Sequence, residues 1–542
     1  MIGSAKPSRA ARRSATLGRR ALLAMTAAAV AAPGIVRAEG ERVLRFVPQA
    51  DVTALDPVWT SVYVTRNHAY LVFDTLYGQD SSFRIQPQMV EGAAVERDGH
   101  EWRLRLREGL LFHDNTPVLA RDCVASIRRW ARRDALGQTL MENTDELAAP
   151  DDRTILFRLK APFPLLADAL GKIGINMLPI MPERLANTDP FKQVTEMVGS
   201  GPFRFVADER VPGARVVYER FANYRPREQG TPDWTAGPKI AYFDRVVWTV
   251  IPDAATAAAA LERGEVDWWE QPLFDLLPVL EKNPDLRTFV TEVTGNIGLL
   301  RMNHLLPPFD NPAIRRALLP ALDQRDFMAA VVGETPHAAR SDIGFFPPGT
   351  PMASDAGMAA LNGPRSVDRA RAALAEAGYR GERVVIMTPG DYPRVDALCN
   401  VAADMMKRCG MTVDLETLDW GSVIQRRASK APLDKGGWNA FITTFTGLDM
   451  ASPAANPALR GNGANAWFGW PTAPELERLR SLWLAATEEA ERRRLAALMQ
   501  AQAFRDVPFL PLGQFFQPTA QSRTLSGTLA GMTLFWNVRR AA

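Results

Sequence analysis

Between residues 101 and 107 the sequence reads EWRLRLR, with Trp102, Leu104 and Leu106 alternating against charged neighbours. A period of two over this length predicts a strand covered on one face. Glu108-Gly109 and Asp114-Asn115 supply turn residues on either side of residues 110–113. Beyond Thr116-Pro117 the period lengthens. Cys123, Ile127, Trp130 and Ala131 fall at i, i+4, i+7 and i+8, one face of a helix, and Asp122 near its start suits the helix dipole. His113, Asp114, Asn115 and Cys123 therefore gather at one strand-to-helix corner, with the residue types of a metal site and equally those of a plain scaffold corner.

The same patterning divides the rest of the chain. A strand is expected at Val43–Val47, then an irregular segment fixed by Asp56-Pro57, then an apolar helix-like run that ends at Gly78. TILFRLK reads as a further strand, and GSGPFRF and ARVVYERFANY as a loop feeding strands. Asp253 caps an alanine-rich helix stopped by Gly264, with a short strand at 266–268 behind it. The chain changes units around Gly298. FDNPAIRRALLPALDQRDFMAAVVG is a helical segment with Asn311 as cap and Pro312 at its first position. The helices SVDRARAALAEAGY and YPRVDALCNVAADMMKRCG then alternate with the strands RVVIMTPG and MTVDLETLDW. That alternation, from about 298 to 445, predicts an α/β unit with a partly parallel sheet. A helical stretch over 473–506 and the run VPFLPLGQ follow, and no internal repeat or low-complexity linker occurs after Ala38.

The first 38 residues stand apart. They hold Lys6, Arg9, Arg12, Arg13, Arg19, Arg20 and Arg37, no acidic residue, and an apolar run leading to Val36-Arg37-Ala38. A basic head, a short apolar stretch and small residues before the cleavage point predict an export signal, cut after Ala38. Arg19-Arg20 followed by Ala21-Leu22-Leu23 resembles the twin-arginine signal, with a general secretory signal as the alternative. The 64 basic residues less those seven leave 57 against 61 acidic, so the exported chain is mildly acidic, near −4. This argues against a nucleic-acid partner, which asks for a basic patch on the folded body. Cys123, Cys399 and Cys409 show no metal or redox spacing. They read as small buried apolar residues, with a Cys399–Cys409 disulfide as the alternative.

In order along the chain come ALDP at 54–57, LVFDTLYGQDSSFRIQPQMVEG at 71–92, LRLREGLLFHDNTPVLARDCVASI at 104–127, GSGPFRF, ALERGEVD, MNHLLPPFDNPAIRRAL, ARAALAEAGY and the closing VPFLPL. On these eight stretches the chain resembles the family 5 solute-binding proteins of ABC transporters, the group of dipeptide, oligopeptide and nickel binders. The resemblance implies an α/β, type II-like periplasmic binding protein of two lobes and three domains, with mixed sheets and a hinge. One lobe would comprise 39–297 and 506–542, with a small inserted domain at about 81–194, and the other 298–505. Ligand would be enclosed as the lobes close, and the closed form presented to a membrane permease. It further implies a periplasmic monomer with no cofactor, metal or catalytic residue, and it makes His113-Asp114-Asn115 a structural corner in which Asn115 takes a positive φ.

Peptide binders of this family are similar in placing an aspartate three residues after a tryptophan, where it meets the ligand's α-amino group. Here Phe445 takes the tryptophan's place, Leu448 stands where the carboxylate would be, and Asp449 comes one residue later. Asp449 is thus a candidate ammonium anchor, beside the plainer reading of a loop cap. Trp420, Trp438 and Trp467 are candidate aromatic walls, with a core role as their alternative. The loop RGNGANAW offers Arg460 for a carboxylate and Asn462 with its backbone neighbours for an extended ligand. A di- or oligopeptide is the expected solute; an opine, a sugar or a metal chelate is the alternative. None of the five histidines forms a metal-ligand spacing, and no GxSxG, Walker A or GxGxxG motif is present, which leaves a secreted hydrolase with nothing in its favour.

Overall fold

The computed structural model describes positions 1 and 3 and residues 42–335 and 337–541; the expected export signal lies outside the described residues. Two large sheets organise the chain from Val43 onward. The first has seven strands in the order Leu286–Val290, Pro518–Ser522, Trp268–Trp269, Val43–Val47, Arg245–Thr249, Arg215–Arg220 and Phe203–Phe205. Val43–Val47 lies parallel to both of its neighbours, and the flanking pairs are antiparallel. The second has six strands, in the order Ala339–Arg340, Leu510–Phe515, Asn296–Met302, Ala440–Thr446, Arg383–Pro389 and Thr412–Leu418. Arg383–Pro389 is parallel to the strands on both sides, as helix-separated strands must be when their crossovers run through Pro393–Arg408 and Trp420–Arg426. The mixed sheet expected from the alternation over 298–445 is therefore present.

A third, antiparallel sheet of four strands, Val90–Glu96, Glu101–Leu106, Thr154–Leu159 and Thr144–Ala148, carries the EWRLRLR pattern. Leu104 and Leu106 are buried, and Trp102 is partly buried against the same core. The helix Ala120–Trp130 packs with its Cys123, Ile127 and Trp130 face inward, and Asp122 accepts the Leu119 N–H at 2.8 Å. The aromatic core of the first large sheet gathers Phe46, Trp248, Trp268 and Phe535 with ring centroids 4.9 to 5.5 Å apart.

Three expected elements change. The run toward Gly78 is a helix only over Tyr63–Val72; the backbone is already extended at Phe73, Asp74 meets Lys239 at 2.6 Å and Tyr224 at 2.9 Å, and Gly78 lies in the strand Tyr77–Gln79. The segment after Asn311 breaks at Pro320 into Pro312–Ala317 and Gln324–Val332, and the stretch over 473–506 breaks into Pro474–Ala485 and Glu489–Asp506. All three cysteines are free and buried, in line with their reading as small buried apolar residues, and the alternative Cys399–Cys409 disulfide is not formed. The strand Leu510–Phe515 belongs to the second large sheet, and the chain returns to the first at 516–517. It crosses between the two sheets there and at 291–295, and the two lobes are joined through these short segments.

Candidate functional site

The corner that looks like a metal site is a splice between segments. His113 Nδ1 accepts the Gly199 N–H at 3.3 Å and Nε2 lies 3.0 Å from the Gly201 carbonyl, so the proton sits on Nε2. Burial pushes its pKa down to about 4, which keeps the ring neutral. Asp114 accepts the N–H and hydroxyl of Thr116, and Asn115 takes φ +64°. Among the described residues no group of three or more His, Cys, Asp or Glu is placed to hold a metal ion. The other motif aspartates are also tied into the scaffold: Asp56 of ALDP is gripped by both Nη atoms of Arg129, at 3.1 and 2.6 Å.

Where the lobes face each other, a cavity of about 170 Å³ takes its lining from both. The first lobe contributes Gln49-Ala50 and the start of the helix Tyr63–Val72. The second contributes the end of the strand Ala440–Thr446, with Thr443 and Phe445, the loop bearing Tyr392, and the helix Trp420–Arg426 with Trp420, Ile424 and Arg427. Tyr392 and Trp420 meet edge to face at 5.2 Å. Behind Phe445 lies Trp467, at 5.2 Å between centroids, and the Arg427 guanidinium lies over the rings of Trp467 and Phe468 at 5.6 and 4.6 Å. An aromatic wall with a cation at its end suits an apolar or planar solute with a polar terminus.

A second, smaller cavity of about 40 Å³ shares Gln49 and Tyr63 with the first. It is lined by Arg66, Glu270, Glu292 and Asn296 among others. Burial raises the pKa of Glu292 to about 8, and Glu270 is raised by the same cause. Glu292 Oε2 finds no hydrogen-bond partner among the described residues.

Of the residues expected at the site, Phe445 and Trp420 line the larger cavity and Trp467 backs it. Asp449 is buried at the lobe junction, where it accepts the Tyr63 hydroxyl at 2.6 Å, the Ile175 N–H at 2.9 Å and the Thr446 hydroxyl at 2.9 Å. Gly174, at φ +95°, lets the chain approach that carboxylate where any Cβ would collide with it. Trp438 is fully buried against Phe441 and Trp470, apart from the cavity. Arg460 pairs with Glu477 at 3.2 Å, and Asn462 bridges to Thr472 within its own loop. Sequence reasoning passed over Tyr63, Tyr392 and Arg427. One signal was available for Arg427: Trp420, Val423, Ile424 and Arg427 fall at i, i+3, i+4 and i+7, which puts an arginine on the inward face of a helix.

Two lobes, two short crossings and a lined cavity at their junction define the class of two-lobed periplasmic binding proteins. Comparison with solved structures agrees on the fold. The chain is similar to the PBP AgaA of A. tumefaciens R10 in complex with agropinic acid (TM-score 0.77, 21% identity, 92% of this chain and 99% of that one). It is similar as well to DppA of Helicobacter pylori in complex with the peptide STSA (TM-score 0.76, 20% identity, 93% and 99%). Residues 84–466 match the bacterial extracellular solute-binding proteins, family 5 Middle. A probable peptide ABC transporter periplasmic-binding protein of Sinorhizobium fredii is 37% identical over 95% of this chain and 97% of its own length. A glutathione-binding protein of Pectobacterium atrosepticum is 26% identical over 94% and 96%. The chain belongs to the family 5 extracellular solute-binding proteins, and solute binding is its function.

Proposed function

We propose that this protein is the exported, periplasmic capture component of an ABC importer. It encloses a small organic solute, foremost a di- or oligopeptide, and hands it as a monomer to a membrane permease. The observation that carries this reading is the cavity lined from both lobes, with the chain crossing between the two large sheets at 291–295 and 516–517. Closure by hinge motion would create that cavity, so ligand and closed form stabilise each other. The relative in S. fredii favours a peptide as the solute and an ABC importer as its destination. Phe445 and Trp420 would face the ligand, Trp467 would hold them in place, and no bond of the ligand would be broken. The leader with Arg19-Arg20 would direct export, and among the described residues no helix is long and apolar enough to cross a membrane.

A second reading, a non-peptide solute such as an opine or a metal chelate, draws on Asp449. Its carboxylate is already engaged by Tyr63, Ile175 and Thr446, which leaves it less able to meet a peptide ammonium. Native mass spectrometry of the protein purified from the periplasm, before and after unfolding and refolding, tests both readings. A retained mass that fragments as a peptide is the expected result; a retained non-peptide mass selects the second reading. If no peptide, opine or chelate shifts the unfolding midpoint of the refolded protein, the capture function itself fails.

A further inference from the structure

Among the described residues six arginines are buried: Arg66, Arg129, Arg301, Arg315, Arg427 and Arg480. Arg129 grips Asp56, and Arg301 and Arg315 are wrapped in backbone carbonyls. Arg480 shares Glu477 with two further carbonyls, and Arg66 leans on the Asn67 side chain. Arg427 alone has no hydrogen-bond acceptor and no ion-pair partner among the described residues. Only 7% of it is exposed, its Nε is buried without a partner, and it lines the cleft cavity. Asp391 lines the same cavity, yet its carboxylate accepts the Trp420 N–H at 2.7 Å and makes no ion pair with Arg427.

A buried cation without a counter-ion weakens the fold unless something else supplies the charge. Burial holds Arg427 down to about 9, with no carboxylate contributing, so it stays charged at neutral pH. The guanidinium carbon lies over the rings of Trp467 and Phe468, at 5.6 and 4.6 Å, and the two aromatic groups hold the cation at the cavity wall. Aromatic rings satisfy none of the guanidinium's N–H donors, and a planar carboxylate matches two of those donors with parallel hydrogen bonds.

We propose that Arg427 is an anion-recognition subsite within the cleft, pairing with a carboxylate of the captured solute. It thereby restricts ligands to those that carry this group beside an apolar or aromatic body. The proposal rests on the solute-capture reading and deepens it. The apolar body would lie along Val62, Tyr392, Trp420, Ile424 and Phe445, which form the rest of the wall. A peptide C-terminus and an N-carboxyalkyl amino acid present the same carboxylate chemistry, and the test separates them.

The experiment is isothermal titration of the refolded, solute-free protein with four probes: the dipeptide Ala-Phe, its C-terminal amide, N-(1-carboxyethyl)phenylalanine and the diester of that compound. Wild type is expected to bind one of the free acids at least 100-fold more tightly than its neutral derivative, and which acid it binds identifies the source of the carboxylate. Arg427→Gln is expected to erase that gap by weakening only the acid, and Arg427→Lys to keep part of it through charge alone. The acid-to-neutral ratio on wild type needs no variant, so a variant that fails to fold does not protect the proposal. Equal binding of acid and neutral probes by wild type, or a gap that persists in folded Arg427→Gln, overturns the subsite while leaving solute capture intact. If wild type binds none of the four probes and retains no solute from the periplasm, the capture reading fails and the subsite with it.

Discussion

At the scale of single residues, the junction of the lobes is unusual in how it holds charge. Glu292 faces Arg66 and Asp449 and is buried, and its pKa is raised from 4.5 to about 8. Between those two values the folded state binds more protons than the unfolded chain. The stability linked to this group is therefore full below pH 4.5 and falls as pH rises toward 8. Glu292→Gln, neutral throughout, should match wild type in unfolding midpoint near pH 4. At pH 8.5 it should exceed wild type by the equivalent of a few kcal/mol. Thermal unfolding across that range checks this, and a variant that keeps the wild-type slope refutes it. Asn115 gives a plainer case. Its φ of +64° suits asparagine or glycine, so Asn115→Gly should be close to neutral, whereas Asn115→Val should cost about 1–2 kcal/mol in urea denaturation.

At the scale of elements, the stretches that identify the family prove to be joints. Asp56 of ALDP receives Arg129 from the helix Ala120–Trp130 and also the N–H groups of Val58 and Val194, so one carboxylate ties three segments. Both partners of the pair are almost fully buried. Removing one leaves the other uncompensated, so Arg129→Met should destabilise by about 3–5 kcal/mol. The double variant Asp56→Leu/Arg129→Met should recover much of that loss. Equilibrium denaturation of the two measures the difference directly. The strand at 101–106 and the helix at 120–130 were legible because each buries one face of a regular period. The end of the helix at Val72 was not, because no glycine or proline marks it and the residues beyond, such as Asp74 paired with Lys239, find their partners far away in sequence.

At the scale of the whole molecule, Tyr63 is one of the side chains that tie the lobes together. Its hydroxyl donates to Asp449 at 2.6 Å and accepts the Thr446 N–H at 2.7 Å, both across the junction. Tyr63→Phe removes both bonds, leaving the Thr446 N–H without this acceptor and Asp449 with only Thr446 and Ile175, a cost of about 1–3 kcal/mol borne by the closed form. The variant should show a larger radius of gyration by small-angle X-ray scattering without ligand and bind solute roughly tenfold more weakly. An unchanged radius together with unchanged affinity would mean that closure does not depend on this tie. The sequence by itself determined the periodic elements, the caps at Asp253 and Asn311, the left-handed turn at Asn115 and the order of segments that marks the family, because each depends on neighbours within a few residues. Tertiary packing is what places Asp449 among hydrogen bonds across the junction, Trp438 in the core, and Arg427 at the cleft without a counter-ion among the described residues. The partners that settle those roles lie hundreds of residues away for Asp449 or on another element for the others. Charge and burial at a junction of lobes are set by what the fold brings there.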